Sequence, residues 1–243
     1  MSSLKLSNPH SVLAALETRP KDVLEVHVSR ATSHDGWKRV LQSARERGVP
    51  VREPLREGAD HRRHRDGGRA GTTFAVVREK QGLPLDQLFA ATNSRGLWIA
   101  LDQVQDPHNV GAIFRTAAFF GVNGIMLTVD RSAPLSATVY DVASGGVEHV
   151  PFTLQTNLAQ GIETAKKRDL WVLGSSEHAT ENVDEIDRDR RWLLVVGNEE
   201  KGLRRLTQDR CDQICRIVTQ GDVGSLNVSV ATGIMMASLS RPV

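Results

Sequence analysis

Residues 97–128 read LWIALDQVQDPHNVGAIFRTAAFFGVNGIMLT, and this pattern decides the fold class. Residues 97–101 are an unbroken apolar run of strand length. Pro107 and Asn109 then mark a turn, and Gly111 allows close backbone approach. Residues 110–120 repeat apolar side chains at helical spacing, and 124–128 form a second apolar run. Short continuous apolar runs on either side of a helix suit strands buried on both faces.

The same alternation continues to the C-terminus. Further strands are expected over 150–153, 170–173, 192–196 and 214–218, and further helices over 136–144, 158–168, 203–210 and 228–239. Alternating strands and helices predict an α/β domain with a mostly parallel sheet covered on both faces. Ligands of such sheets sit in the loops past the C-terminal ends of the strands. Three of those loops carry the chemistry-bearing residues.

After the first strand, Arg115 stands alone among Ala112, Ile113, Phe114, Ala117, Ala118, Phe119 and Phe120. Burying one arginine in such company is costly unless it is paired or serves a purpose. It is read either as a site residue or as half of a structural ion pair. After the fifth strand comes GNEEKGL, residues 197–203, with two acids between glycines. After the sixth comes GDVGSLNVSVATGIMMASL, residues 221–239. Ser225 or Asn227 can cap the helix that follows. That helix is small or apolar on every face, which is read either as a core helix closing the domain or as core on one side and a partner subunit on the other.

The first third reads as a small α/β unit. Helices are expected over 11–18 and 35–47, the second stopped by Gly48, and strands over 23–28, 49–51 and 72–77. Between the last two lies 52–71, with REGADHRRHRDGGRAG and no apolar period. It is a candidate for RNA phosphate contact through guanidinium groups, or a plain solvated loop. Residues 80–96 read as a linker, broken by Gly82 and Pro84.

The chain has 243 residues and a formal net charge of +2, so it is not basic in bulk. Of its 31 Lys and Arg, only seven are lysines. Arginine offers a planar fork that matches phosphate, although GC-rich coding gives the same bias. No run approaches a membrane span, and no signal peptide is read. Cys211 and Cys215 are too few for a disulfide framework or a four-ligand zinc site and are read as buried thiols. No metal site is expected. There is no G-x-G-x-x-G after a strand, no phosphate-binding G-x-x-x-x-G-K-[ST], and no G-x-S-x-G. The first absence disfavours a dehydrogenase. Gly145-Gly146 is too isolated to count as a nucleotide signature.

Taken together, N-x-G-x-x-x-R (Asn109, Gly111, Arg115), G-N-E-x-x-G-L (Gly197 to Leu203) and S-L-N-V-S-V-A (Ser225 to Ala231) resemble the three motifs of the SpoU/TrmH branch of the SPOUT RNA methyltransferases. The likeness covers nearly the whole chain. Residues 101–121, the segment RSAPLSATVYDVASGGVEHVP (131–151) and the third motif are most similar to the RlmB-type 23S rRNA guanosine 2'-O-methyltransferases. Near the N-terminus Asn8-Pro9 precede His10, where that group has a glycine. The resemblance implies a small RNA substrate-binding domain (1–79), a linker (80–96) and a SPOUT catalytic domain (97–243) with a C-terminal trefoil knot. It also implies a homodimer, while a cytoplasmic location is the default expectation from the absent signal peptide, membrane span and disulfide framework. S-adenosylmethionine would be held largely by main-chain groups at Gly197, Ile217 and Leu226. Arg115, Asn109, Glu199, Ser225 and Asn227 would form the catalytic set. The family's arginine is credited with taking the 2'-hydroxyl proton. A guanidinium hardly deprotonates in proteins, so Arg115 is read instead as a fork for the target phosphate and the developing alkoxide. The expected reaction is methyl transfer to a ribose 2'-hydroxyl of RNA, on a guanosine of 23S rRNA. The alternatives are a tRNA-specific relative and a catalytically silent RNA-binding protein of ribosome assembly.

Overall fold

The computed structural model describes residues 2–29, 34–53, 73–90, 94–198 and 200–241. The chain divides into two compact units, Met1–Lys80 and Gln81–Val243.

The first unit holds β1 (Ser3–Leu6), α1 (Pro9–Thr18), β2 (Val23–His27), α2 (Asp35–Glu46), β3 (Val51–Arg52) and β4 (Phe74–Arg78). The sheet order is β1-β4-β2-β3, with only β2 and β3 parallel. Asn8 and Pro9 explain where α1 begins. The Asn8 side chain accepts from His10 N–H at 2.9 Å, and Pro9 takes the first helical turn, where its missing N–H costs nothing. Inward residues of both helices and three strands, among them Leu6, Leu16, Val26, Val40 and Val77, are buried. The candidate RNA loop, 52–71, lies outside the described residues from 54 onward.

The second unit opens with α3 (Leu85–Leu88), inside the segment read as a linker. It is packed: Leu88 and Phe89 belong to a buried cluster with Trp98, Met126 and Ile162, and Trp98 Nε1 donates to the Leu88 carbonyl at 2.8 Å. The elements that follow are β5 (Gly96–Leu101), α4 (Pro107–Phe120), β6 (Gly124–Thr128), α5 (Ala137–Ala143), α6 (Gly146–His149), β7 (Phe152–Gln155), α7 (Leu158–Lys166), β8 (Trp171–Ser175), β9 (Glu181–Asn182), β10 (Arg191–Val196), α8 (Arg205–Gln208), β11 (Gln213–Arg216) and α9 (Val228–Leu239). All seven strands pair in parallel in the order β7-β6-β5-β10-β8-β11-β9. The chain walks outward from β5 to β7 and then crosses to β8. It leaves a gap beside β5 that β10 fills later. The sheet is mostly buried on both faces, β6 and residues 192–196 wholly so, as the apolar runs predict.

Several boundaries differ from the sequence reading. Pro107 and Asn109 are not a turn but the first turn of α4, whose cap is Asp106, accepting from His108 N–H at 2.8 Å. The strand read at 150–153 begins at Phe152, since Val150 ends α6 and Pro151 has no N–H to give. The helix read at 136–144 is followed by a separate short helix, α6, through Gly145 at a φ of 98°. β1, β9 and α6 were not anticipated, being too short to show a period.

Candidate functional site

The adjacent strands β5 and β10, and β11 two places beyond β10, end on one edge of the sheet. The segments after them, loops together with the helices α4 and α9 that two of them enter, hold the expected site residues. Each loop is shaped by identifiable contacts.

The loop after β5 turns on Gln103, a non-glycine residue at a φ of 62°. Left-handed backbone is unfavourable for such a residue and needs holding. Gln103 N–H donates to Thr128 Oγ1 at 3.0 Å, and its carbonyl accepts from Asn198 Nδ2 at 3.0 Å. Just before it, the Asp102 carboxylate is fully enclosed. Oδ2 accepts from Thr207 Oγ1 at 2.8 Å and from Arg204 Nε at 3.1 Å. Arg204 Nη2 stands 2.7 Å from Oδ1, off the hydrogen-bond axis, so that oxygen is paired by charge alone. A buried carboxylate held this way ties the loop after β5 to α8.

The loop after β10 closes on itself. Asn198 and Gly202 exchange both backbone bonds, at 3.1 and 3.0 Å. Asn198 Oδ1 accepts from the N–H groups of Glu200 and Lys201. Gly197 is buried under this closure, and a Cβ there would overlap the Gly202 carbonyl. Gly202 supplies the left-handed turn at a φ of 62°. Glu199 lies outside the described residues.

The loop after β11 runs through exposed positions. Thr219 Oγ1 bonds the carbonyls of Gly221 and Val223, both at 3.2 Å. Ile217 is half-buried, while Ser225 and Leu226 are exposed. Of the two cap candidates, Asn227 takes the role. Its Oδ1 accepts from Ser229 N–H at 2.9 Å and Ser229 Oγ at 2.6 Å, and its Nδ2 donates to Asn109 Oδ1 at 3.0 Å. One amide therefore starts α9 and locks it to the first turn of α4, where Asn109 is buried.

The structure thus brings Asn109 and Asn227 into contact and shapes the loop around Gly197. Arg115 stands apart from that contact. It lies on the solvent side of α4, exposed, with no ion pair or hydrogen bond among the described residues. The buried ion pair considered above is not formed, and the cost of burial is avoided by pointing the guanidinium to water. On the same side Phe119 is 82% exposed, and Val230 and Ile234 of the adjacent α9 are 51% and 40% exposed. Asp102 and Asn198 escaped the sequence reading. An acid directly after a fully buried strand, and an asparagine four residues before a turn glycine, were the available signals.

Both cysteines are free thiols, Cys215 buried and Cys211 partly so. Burial pushes the Cys211 thiol up to about 11 and Cys215 up to about 12, which suits inert packing groups. Among the described residues no His, Cys, Asp or Glu cluster could hold a metal, and no helix is long and apolar enough to cross a membrane.

A parallel α/β unit with self-closed, glycine-bearing loops at one strand edge is the architecture of a ligand-binding enzyme domain. Residues 96–237 match the family model described as the SpoU rRNA Methylase family. Over nearly its whole length the chain is similar to proteins named 23S rRNA (guanosine-2'-O-)-methyltransferase RlmB. It is 36% identical to that of Pseudomonas putida, covering 99% of this chain and 98% of the relative. It is 37% identical to that of Pseudomonas aeruginosa, covering 98% and 96%. Its fold is similar to the SpoU methyltransferase AviRb from Streptomyces viridochromogenes, solved in complex with the cofactor AdoMet. There the TM-score is 0.80 at 20% identity, covering 98% of this chain and 90% of the other. The chain belongs to the SpoU rRNA methylase family.

Proposed function

We propose that this protein transfers a methyl group from S-adenosylmethionine to the 2'-hydroxyl of a guanosine in 23S rRNA. The near full-length likeness to RlmB proteins carries this reading. The loops fit the cofactor. The 217–227 segment exposes the apolar side chains of Val218, Val223 and Leu226, and the backbone closure of the neighbouring loop leaves no room for a side chain at Gly197. Gly197, Ile217 and Leu226 would hold the adenosyl part, and the bound cofactor supplies an electrophilic methyl group on a sulfonium.

The remaining work falls to the chain. Displacement needs the 2'-oxygen in line at near-contact distance, so rigid positioning is worth much of the barrier. The Asn109–Asn227 lock supplies rigidity between α4 and α9. Ser225 and Glu199 would orient the ribose. Arg115 would hold the target phosphate and stabilise negative charge as it develops on the 2'-oxygen, while the hydroxyl proton leaves to solvent.

The chain would act in the cytoplasm as a homodimer. Its second face would be the apolar surface of Phe119, Val230 and Ile234. By family likeness the C-terminal segment would form a trefoil knot, and residues 1–79 would bind the RNA.

The test is Arg115→Ala assayed with labelled cofactor on unmodified 23S rRNA, with mapping of the modified nucleotide. Removing one charge-stabilising donor should lower transfer by about 100-fold or more and leave cofactor binding intact. Undiminished transfer would remove this mechanism. A label mapped to tRNA would move the substrate to the tRNA-specific relative.

A further inference from the structure

A cleft of about 180 Å³ opens between the start of α7 and α8. It lies on the sheet face opposite α4 and α9 and at the same strand edge as the loops described above. Thr156 and Asn157 line one side, and Arg204, Leu206 and Arg210 the other. Among the described residues no carboxylate lines it.

Both guanidiniums are held before any ligand arrives. Arg204 uses its Nε–Nη2 edge on Asp102, leaving Nη1 without an acceptor among the described residues, and its side chain is half exposed. Arg210 Nη1 donates to the Leu206 carbonyl at 2.7 Å, and its other donors have no partner among the described residues. A guanidinium has five N–H groups in a fixed fork, so each arginine is anchored and still able to bind. Anchoring removes the ordering cost that a mobile arginine would bear on binding. Asp102 offsets the charge of Arg204, and the exposed Glu200 and Asp209 are interspersed with Lys201 and Arg205, so the positive charge is local: among the described residues that line the cleft itself, the charged ones are Arg204 and Arg210. Leu206, 72% exposed between the arginines, offers an apolar contact. Two anchored guanidiniums with N–H groups left over, beside one apolar side chain, suit a phosphodiester with its sugar. A free phosphate would gain nothing from Leu206.

We propose that this cleft takes a backbone phosphate of the substrate RNA, on the side of the cofactor loops away from Arg115. The proposal rests on the RNA methyltransferase reading. RNA bound there would press on Arg204, which directly follows the 197–203 loop and shares Asp102 with the loop after β5. The strand would thus touch both supports of the site.

Binding of an unmodified 23S rRNA transcript, measured by filter binding over a series of KCl concentrations, tests it. Each lost phosphate contact lowers the slope of log K against log salt by about 0.7–0.9. Arg210→Ala should lose about one such step and bind several-fold more weakly at fixed salt. Arg210→Lys should recover most of the slope. Arg190→Ala, at the opposite strand edge where Arg190 stacks on Trp171, should change nothing. A thermal melt of each variant controls for folding. An unchanged slope in Arg210→Ala, or an equal loss in Arg190→Ala, overturns the proposal. Inorganic phosphate competing at millimolar concentration with the wild type, and not with Arg210→Ala, would support it. Failure of the enzyme reading shows separately: wild-type protein would transfer no methyl group to any RNA, whatever the salt slopes.

Discussion

Cys215 shows how much one enclosed atom reveals about its surroundings. Its thiol sits on β11 with no exposure, and burial, with Glu181 adding a like-charge push, raises its pKa to about 12. In the unfolded chain the group would release its proton near its ordinary value of 9.0. Folding therefore favours the protonated form. The contribution is fully present below about pH 9 and is lost as pH rises from there toward 12, by at most about 1.4 kcal/mol per pH unit. Urea denaturation from pH 8 to 10.5 should show a steeper fall for wild-type protein than for Cys215→Ala. Parallel profiles would mean that the thiol is less enclosed than the structure has it. The two cysteines were legible as inert from their number alone. Asp102 was not legible. Its role comes from Arg204 and Thr207, about a hundred positions away, and no local pattern in the sequence brings them together.

At the scale of elements, the parallel sheet was legible because strands buried on both faces leave continuous apolar runs, as 97–101 and 192–196 do. Element ends were less legible because they depend on single groups. Pro107 looks like a turn residue in isolation, and only the Asp106 cap makes it a helix start. Gly145-Gly146 is a sharper case. Too isolated to be a nucleotide signature, the pair proves to be a packing device. Gly145 makes the left-handed turn between α5 and α6, and Gly146 lies against α4. A Cβ on Gly146 would stand 2.6 Å from the Phe114 carbonyl oxygen and 2.8 Å from the Arg115 nitrogen, which are backbone atoms that cannot swing aside. Gly146→Ala should therefore force α4 and α6 apart and cost about 1–3 kcal/mol in urea denaturation. Because the displaced atoms belong to the Arg115 turn, methyl transfer should fall as well. A Cβ on Gly224 would meet nothing within 4 Å among the described residues, and its φ is not positive, so Gly224→Ala should leave stability within about 1 kcal/mol of wild type. Equal losses in the two variants would contradict the packing account.

For the whole molecule, the open question in the sequence was what the second apolar side of α9 is for. The structure divides that helix. Met235, Met236 and Leu239 are buried, and Thr232 satisfies its hydroxyl on the Val228 carbonyl. Val230 and Ile234 are exposed, as is Phe119 on α4. Isolated exposed apolar residues need no explanation. Here, however, they come from two helices that pack where Gly233 faces Thr116, and they lie next to the exposed loop carrying Val223 and Leu226. A surface of this kind suits a two-fold contact, since each subunit would present the same patch to the other. The cofactor loop and Arg115 would then sit at the rim of the subunit contact, linking assembly to activity. Phe119→Asp combined with Ile234→Asp should convert a sedimenting dimer to monomer. The monomer's far-ultraviolet spectrum should stay native, because both side chains are solvent-exposed in the single chain. Methyl transfer should fall with the dimer fraction and recover as protein concentration drives reassociation. A wild-type monomer with full activity would break the link between assembly and catalysis, and a variant that still sediments as a dimer would place the contact elsewhere.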